Sequence, residues 1–378
     1  MAEVIVLGGG FGGLAAAHEL RRGLPEEHRV RLIAADDRFF VGFAKLWDLV
    51  GVRALDGGTA RLDALEGRGI GFTKATVTGI DPAGRRVETD AGSYQADFVM
   101  VALGAADGLG RAGRLGGAAY NLYDPSALPA MRGALGGISS GRVVLSVLGG
   151  PYKCPPAPYE AAFLVDEHLR RRGVRDNVDV AVTTPLPATL PMAGADISEA
   201  VAGALDARGI ELRTGHAVFG VDAEGRAVSF DGAERLGYDL LFAIPQAVPP
   251  TVVAGSALAG EGGWIWPDRH SARTSFDGVY AAGDCTAVQT LPKAGVFAEA
   301  MGKVAAANIT AEVTGSGRTA YDGAGYCFLE FPERTASALE GNFYAEPEPE
   351  LRMAEPDSAT YARKEAFEAE RLREWLGA

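Results

Sequence analysis

Cysteine and histidine are scarce in this sequence of 378 residues, which carries three of the first and five of the second. Cys154, Cys285 and Cys327 are too few and too scattered for a disulfide scaffold, and they lack zinc-ligand spacing. The histidines do not cluster, so no histidine-based metal centre is expected. No apolar run approaches the length and purity of a transmembrane helix. Positive charge is also in deficit: 36 Lys and Arg against 49 Asp and Glu leave a net charge of −13, which argues against nucleic acid or an anionic membrane surface as a default partner. The first three residues lead directly into Val4, Ile5, Val6 and Leu7, leaving no room for the regions of a secretory signal. The sequence therefore predicts a cytoplasmic protein, in which paired cysteines would be redox-active rather than structural.

Glycine, by contrast, is abundant at 51 residues, and 47% of the chain is apolar. That combination describes two or three domains with substantial cores and many close backbone approaches, as in nucleotide-binding α/β domains. Residues 4–7 read as a buried strand, and Gly8, Gly10 and Gly13 satisfy G-x-G-x-x-G with Phe11 and Gly12 between them. A helix over 14–22 ends at Gly23, and a second strand follows at 30–33. In this setting Gly8 permits the turn, Gly10 lets a pyrophosphate approach the backbone, and Gly13 lets helix and strand pack closely. The acidic residue expected at the end of the second strand is replaced by Ala34 and Ala35. Asp36, slightly late, is the candidate ribose ligand, against Asp37 or no acidic ligand at all. Residues 51–92, with β-like runs at 75–81 and 86–89, read as an inserted antiparallel meander that places Val77 near an adenine by analogy. Residues 94–105 read as one apolar strand ending in small residues, including Ala102 and Gly104, that let backbone pass close to a dinucleotide.

A second βαβ unit spans a strand at 142–148, a helix over 161–172 and a strand at 178–182, with pieces at 217–221 and 240–245 completing it. Between its first strand and helix lie Lys153, Cys154, three prolines and Glu160. The prolines exclude a helix interior and hold the thiol on a stiff loop just before a carboxylate suited to a helix N-terminus. A second glycine fingerprint would belong at this point, and a thiol stands there instead. Residues 279–282 form a strand presenting Gly283 and Asp284, a carboxylate able to accept bonds from ribityl hydroxyls. Lys293, Ala294 and Gly295 open a helix running from 291 to about 310, a positive site for an electron-rich ring edge. An alternating strand at 321–331 carries Cys327, residues 345–356 read as a Pro/Glu linker, and 358–376 as a charged helix with an apolar side that docks on the body or a partner.

These segments resemble the flavin disulfide-reductase superfamily, and within it the sulfide:quinone oxidoreductases and flavocytochrome c sulfide dehydrogenases. The glycine turn, the Ala281 to Asp284 segment, and Cys154 to Glu160 taken with Pro292 to Gly295 carry the resemblance. It implies an α/β fold of two Rossmann-like, glutathione-reductase-like domains with the meander inserted and a C-terminal interface region. The implied division is 1–110 and 266–310 for FAD, 111–265 for the second domain carrying the Cys154 loop, and 311–378 for the interface. FAD is the implied cofactor, held by Gly8, Gly10, Phe11, Gly12, Gly13, Asp36, Lys45, Val77, Ala102, Gly104, Gly283, Asp284, Lys293, Ala294 and Gly295. Cys154 and Cys327 are implied to form a disulfide beside the flavin, with Glu160 as the nearby proton acceptor, and Cys285 reads as a buried structural thiol.

The implied reaction is attack of sulfide or a small thiol on that disulfide, with two electrons passing to FAD. Quinone-reducing members end in amphipathic membrane helices and cytochrome-reducing members are exported, and neither pattern is seen here, so the acceptor is open between quinone and others. Peripheral membrane contact and a homodimer are compatible with the pattern. The competing readings are an FAD-dependent NAD(P)H dehydrogenase, a non-catalytic flavin-binding partner of a sulfur carrier, and a thiol oxidase using dioxygen.

Overall fold

Uninterrupted aliphatic runs between glycine turns are the signature of strands buried on both faces, and here they build two parallel sheets. The computed structural model describes residues 1–288 and 290–378. In its first sheet the strands lie in the order Val279–Ala281, Phe98–Val101, Glu3–Leu7, Arg29–Ala34 and Gly71–Lys74. Val4 is paired in parallel with Val30 on one side and Phe98 on the other. Two sequence expectations change here. Gly71–Lys74 extends the parallel sheet, so the meander is confined to Val77–Asp81, Arg86–Thr89 and Gly92–Gln95. The single strand expected at 94–105 is two, because Tyr94 belongs to the meander and Phe98–Val101 to the sheet.

The second sheet has the order Ala119–Asn121, Leu240–Ile244, Gly141–Val147, Val178–Thr183 and Ile210–Arg213, all parallel. Residues 217–221 do not complete it. Val218–Asp222 pairs antiparallel with Ala227–Phe230, which pairs with Arg235–Gly237 in a separate sheet. The physical reason lies in side-chain burial: Val218 is buried and Phe219 exposed, as on a one-sided strand, whereas every residue of Leu240–Ile244 is buried.

The helix Phe11–Gly23 packs against Gly295–Thr314, and a Cβ on Gly302 would stand 2.3 Å from the Gly12 carbonyl oxygen, so two glycines set the approach. That second helix begins at Gly295 rather than 291, because Ala294 is still extended at its N-cap. The chain then forms Ala324–Phe331, Thr335–Asn342 and Glu350–Met353, an antiparallel sheet. The expected 345–356 linker therefore contains a strand. The final helix, Ser358–Leu376, spans the expected residues and is capped by Asp357, whose carboxylate accepts from the Thr360 N–H. It docks on the body of the protein: Tyr361, Lys364, Phe367, Glu368, Leu372 and Trp375 recur at helical spacing on its buried face. Phe367, Leu372 and Trp375 join the core around the first sheet, each contributing about 1.5–3 kcal/mol of apolar burial. Among the described residues no helix is long and apolar enough to cross a membrane.

Candidate active site

Cys154 sits where the second sheet meets the cofactor half. Its N–H donates to the Lys293 carbonyl at 2.7 Å, and its own carbonyl accepts from Ala157 at 2.9 Å. Its φ is +54°, a left-handed conformation that costs a non-glycine residue about 1–2 kcal/mol. Pro155 and Pro156 lead into the helix Ala157–Arg171, which starts earlier than the expected 161 because Pro158 is tolerated in a first helical turn. Glu160 lies in that first turn, as the sequence suggested.

Burial of Glu160 is accompanied by partners that the sequence did not announce. Lys364, on the final helix and fully buried, donates to Glu160 Oε1 at 2.7 Å and to Glu330 Oε2 at 2.6 Å. Glu330 also accepts from Trp47 Nε1 at 2.8 Å, and its backbone N–H donates to Glu160 Oε2 at 3.1 Å. The Lys364 ammonium lies 4.6 Å from the Phe43 ring centroid. Burial pushes the Glu160 carboxyl up; Lys364 opposes this and Glu330 adds to it, with the net shift upward. Burial disfavours charge on Lys364, yet the two carboxylates outweigh it and keep the ammonium protonated. Two carboxylates around one cation leave one excess negative charge in a dry site, which favours uptake of a proton by Glu160. The sequence reading singled out no role for Lys364 on the charged 358–376 helix; the available signal was its place on the same stripe as Tyr361 and Phe367.

Cys327, on Ala324–Phe331, lines the same cavity as Cys154 and Glu160. The disulfide implied by the resemblance is not formed in the structure, which presents all three cysteines as free thiols. Burial pushes the Cys154 thiol up to about 12, with the Glu160 charge adding to it and Lys364 opposing. Burial, then Cys154 and Glu160, push Cys327 well up too. With the two sulfurs unbonded, burial and the neighbouring carboxylate both favour the protonated thiols. Cys285 is buried with its sulfur near the Ala282 and Val101 carbonyls at 3.4 and 3.6 Å, raised to about 11 by burial, as expected of a structural thiol.

The cavity has a volume of about 630 Å³ and reaches from the glycine turn to Cys154. Gly8, Gly10, Phe11, Gly12, Asp36, Lys45, Val77, Ala102, Gly104, Gly283, Asp284, Lys293, Ala294 and Gly295 all line it. Gly13 does not: a Cβ there would stand 1.9 Å from the Gly8 carbonyl oxygen, so it serves close packing within the turn. Asp36 faces the cavity, while Asp37 is taken by Lys74 at 3.2 Å and Arg61 at 3.5 Å. Lys293 departs from its expected role. Its ammonium bonds to the Asp284 and Thr286 carbonyls at 2.9 and 3.0 Å and lies 3.5 Å from the Trp264 ring centroid. Positive potential at this end comes instead from the N-terminus of Gly295–Thr314, which has neither a side-chain cap nor an acid in its first turn. The sequence reading missed Tyr123, Phe43, Phe328 and Phe367 in the wall.

The cavity fits FAD on its own features. The N-terminus of Phe11–Gly23 opens onto it without a side-chain cap or a first-turn acid, leaving N–H donors for a pyrophosphate. A Cβ on Gly10 would meet nothing within 4 Å, so the cradle is open there, while Gly8, at φ +110°, is pressed against the Ala102 carbonyl. Asp284, half-buried, lines the wall, and desolvation pushes its carboxyl up against the pull of Lys293 and Lys153.

Two parallel nucleotide-type sheets, an uncapped glycine turn and a cavity ending at two thiols define an FAD-dependent oxidoreductase of the two-dinucleotide-fold class. The family model for pyridine nucleotide-disulphide oxidoreductases matches residues 2–121 and 160–306, and the chain belongs to that family. It is 25% identical over 317 residues to the mitochondrial sulfide:quinone oxidoreductase of Mus musculus, covering 79% of this chain and 69% of the mouse protein. The mitochondrial sulfide:quinone oxidoreductase of Dictyostelium discoideum is 22% identical over 309 residues, covering 77% of this chain and 66% of its own length. The crystal structure of the sulfide:quinone oxidoreductase from Aquifex aeolicus superposes with a TM-score of 0.89 at 21% identity, covering 100% of this chain and 92% of that one. The expected family and fold class are thus borne out.

Proposed function

We propose that the protein oxidises sulfide or a small thiol at Cys154 and Cys327, with FAD as the bound redox group and a quinone or related acceptor as the electron outlet. The observation that carries this reading is the convergence of both thiols and the buried Glu160 on the far end of an FAD-shaped cavity. The names of the mouse and Dictyostelium relatives support the choice of donor and acceptor.

In the oxidised state of the pair, hydrosulfide adds to one sulfur of the Cys154–Cys327 bond. That bond breaks, leaving a persulfide on one cysteine and a thiolate on the other. Transfer of the outer sulfur to a second nucleophile leaves both cysteines at the dithiol level, the state the structure presents. FAD, when bound, supplies the two-electron sink that returns this pair to the disulfide. Glu160 takes up the proton released by the incoming sulfur, since it is buried beside both thiols with its carboxyl shifted upward. Lys364 and Glu330 fix its orientation through the bonds described above. The Gly8 to Gly12 turn binds the phosphates, and Asp284 with the helix start at Gly295 orients the ring end. On this reading the enzyme is cytoplasmic and meets a membrane quinone by peripheral contact, alone or as a homodimer.

The test is anaerobic mixing of the purified yellow protein with sulfide, cysteine and NADH in parallel, for wild type and Cys154→Ser. Sulfide should bleach the wild-type flavin fastest, and the variant should keep FAD but lose that bleaching. Normal bleaching in the variant, or faster reduction by NADH than by sulfide, would sink the proposal.

A further inference from the structure

Beside Cys154 the cavity carries a second group of charges that the reaction above leaves unused. Lys45 donates to the Tyr123 carbonyl at 2.7 Å, and its ammonium lies 5.2 Å from the Tyr123 ring centroid. Lys153, next in sequence to the thiol, lies 5.6 Å from the same ring. The Tyr123 hydroxyl donates to the Lys153 carbonyl at 2.6 Å, which fixes the ring near two cations, one on the cysteine loop and one on the Ala44–Leu49 helix. Asp107 pairs with Lys153 at 2.5 Å and is held on its other oxygen by Asn121 at 2.9 Å. Among the described residues no carboxylate lies within ion-pair distance of Lys45. Asp124, the other acid near it, accepts instead from the Ser126 N–H and hydroxyl. Two ammonium groups with one paired carboxylate leave one positive charge uncompensated at the cavity wall.

We infer that Lys45, with Lys153 and the Tyr123 ring, forms a receiving site for the anionic sulfur substrate, hydrosulfide or a small thiolate, beside Cys154. This inference rests on the function proposed above and adds the group that brings the nucleophile to the disulfide. The family resemblance placed Lys45 among the FAD ligands, but the phosphates of a dinucleotide have their own donors at the glycine turn, at the other end of the cavity from Cys154, so Lys45 is reassigned here from the cofactor to the substrate. The site also answers an electrostatic problem. Glu160 and Glu330 leave an excess negative charge behind the cysteines, which repels an incoming anion unless a cation stands on the approach side. Burial, followed by repulsion from Lys153, lowers the Lys45 ammonium to about 8, while Asp107, Asp124 and Cys154 pull the other way. Its charge therefore fades as pH rises through that value, just where hydrosulfide is fully formed.

The experiment is stopped-flow bleaching of the FAD-loaded enzyme by sodium sulfide under anaerobic conditions, for wild type, Lys45→Met and Lys45→Arg, at several ionic strengths and pH values. Lys45→Met should keep its FAD content and visible spectrum but show a second-order rate constant about tenfold lower at low salt, converging on wild type as salt rises. Lys45→Arg should restore the rate and remove the fall above about pH 8, since a guanidinium does not titrate there. A Lys45→Met rate within about twofold of wild type, with the same salt dependence, overturns the inference while leaving the Cys154 reaction standing. Loss of FAD from Lys45→Met overturns it in favour of a cofactor contact. A wild-type flavin that sulfide does not bleach takes the inference down together with the proposed function.

Discussion

Replacing Lys364 by Met removes one buried cation from between two buried carboxylates, and the structure sets the size of the effect. The lost contacts are the ion pairs to Glu160 at 2.7 Å and Glu330 at 2.6 Å, plus the ammonium's place over the Phe43 and Trp47 rings. Methionine fills most of the volume of the lysine stem, so little of the loss comes from packing. What remains is two carboxylates in a dry site with no counter-charge, and breaking a buried pair in this way costs about 3–5 kcal/mol. Against a total stability of about 5–15 kcal/mol, that is a large fraction. Urea denaturation followed by flavin and tryptophan fluorescence should show a lower midpoint at about pH 8. The deficit should shrink on acidification, because the raised Glu160 carboxyl takes up a proton in the folded state before the unfolded chain does, and a neutral acid no longer needs the lysine. Adding Glu330→Gln to Lys364→Met should recover about half of the loss, since one carboxylate is then removed. A Lys364→Met midpoint equal to wild type at about pH 8, or a deficit that does not depend on pH, would refute the view that this triad is a compensated buried charge cluster.

Elsewhere, Asp166 is fully buried and pairs with Arg170 at 2.9 Å, Arg175 at 2.5 Å and Arg208 at 2.6 Å. Burial pushes its carboxyl up, but the three guanidiniums outweigh it and hold it below the usual 3.8. Its stabilisation is therefore present above that value and lost as pH falls through the lower folded value. Asp166→Asn should cost about 3 kcal/mol at neutral pH, with the difference from wild type vanishing in acid, as read from urea midpoints. Gly302→Ala puts a Cβ 2.3 Å from the Gly12 carbonyl oxygen and forces the two cofactor-half helices apart. Equilibrium dialysis should then show weaker FAD retention with the second sheet's stability unchanged; tight FAD binding in this variant would argue against Gly302 setting the position of the glycine turn.

The glycine turn and its strand were legible because they depend on local rules: Gly8, Gly10 and Gly13 act through backbone geometry within six residues of each other. The Cys154 loop was legible for the same reason, since its prolines constrain neighbours directly. The Gly71–Lys74 strand escaped because a four-residue run does not show whether its partner is a hairpin neighbour or a strand that lies forty residues earlier. The 345–356 segment escaped because proline and glutamate hide a short edge strand, Glu350–Met353, that exists only through pairing with Thr335–Asn342. Lys293 lines the cavity, but the direction of its ammonium depends on Trp264 and two carbonyls that no spacing rule reveals.

By itself the sequence determined a two-sheet nucleotide-binding architecture, the phosphate end of the cavity, and a thiol on a rigid loop where a second glycine fingerprint would stand. Each follows from residues close together in the chain. Only the tertiary structure decided what surrounds that thiol. It brought Cys327 from 173 positions later into the same cavity, drew Lys364 from the final helix between Glu160 and Glu330, and set Lys45 and Lys153 both close to the Tyr123 ring. Those charges act through space over a few ångströms in a dry site, and their strength depends on burial and direction, which the order of residues along a chain does not carry.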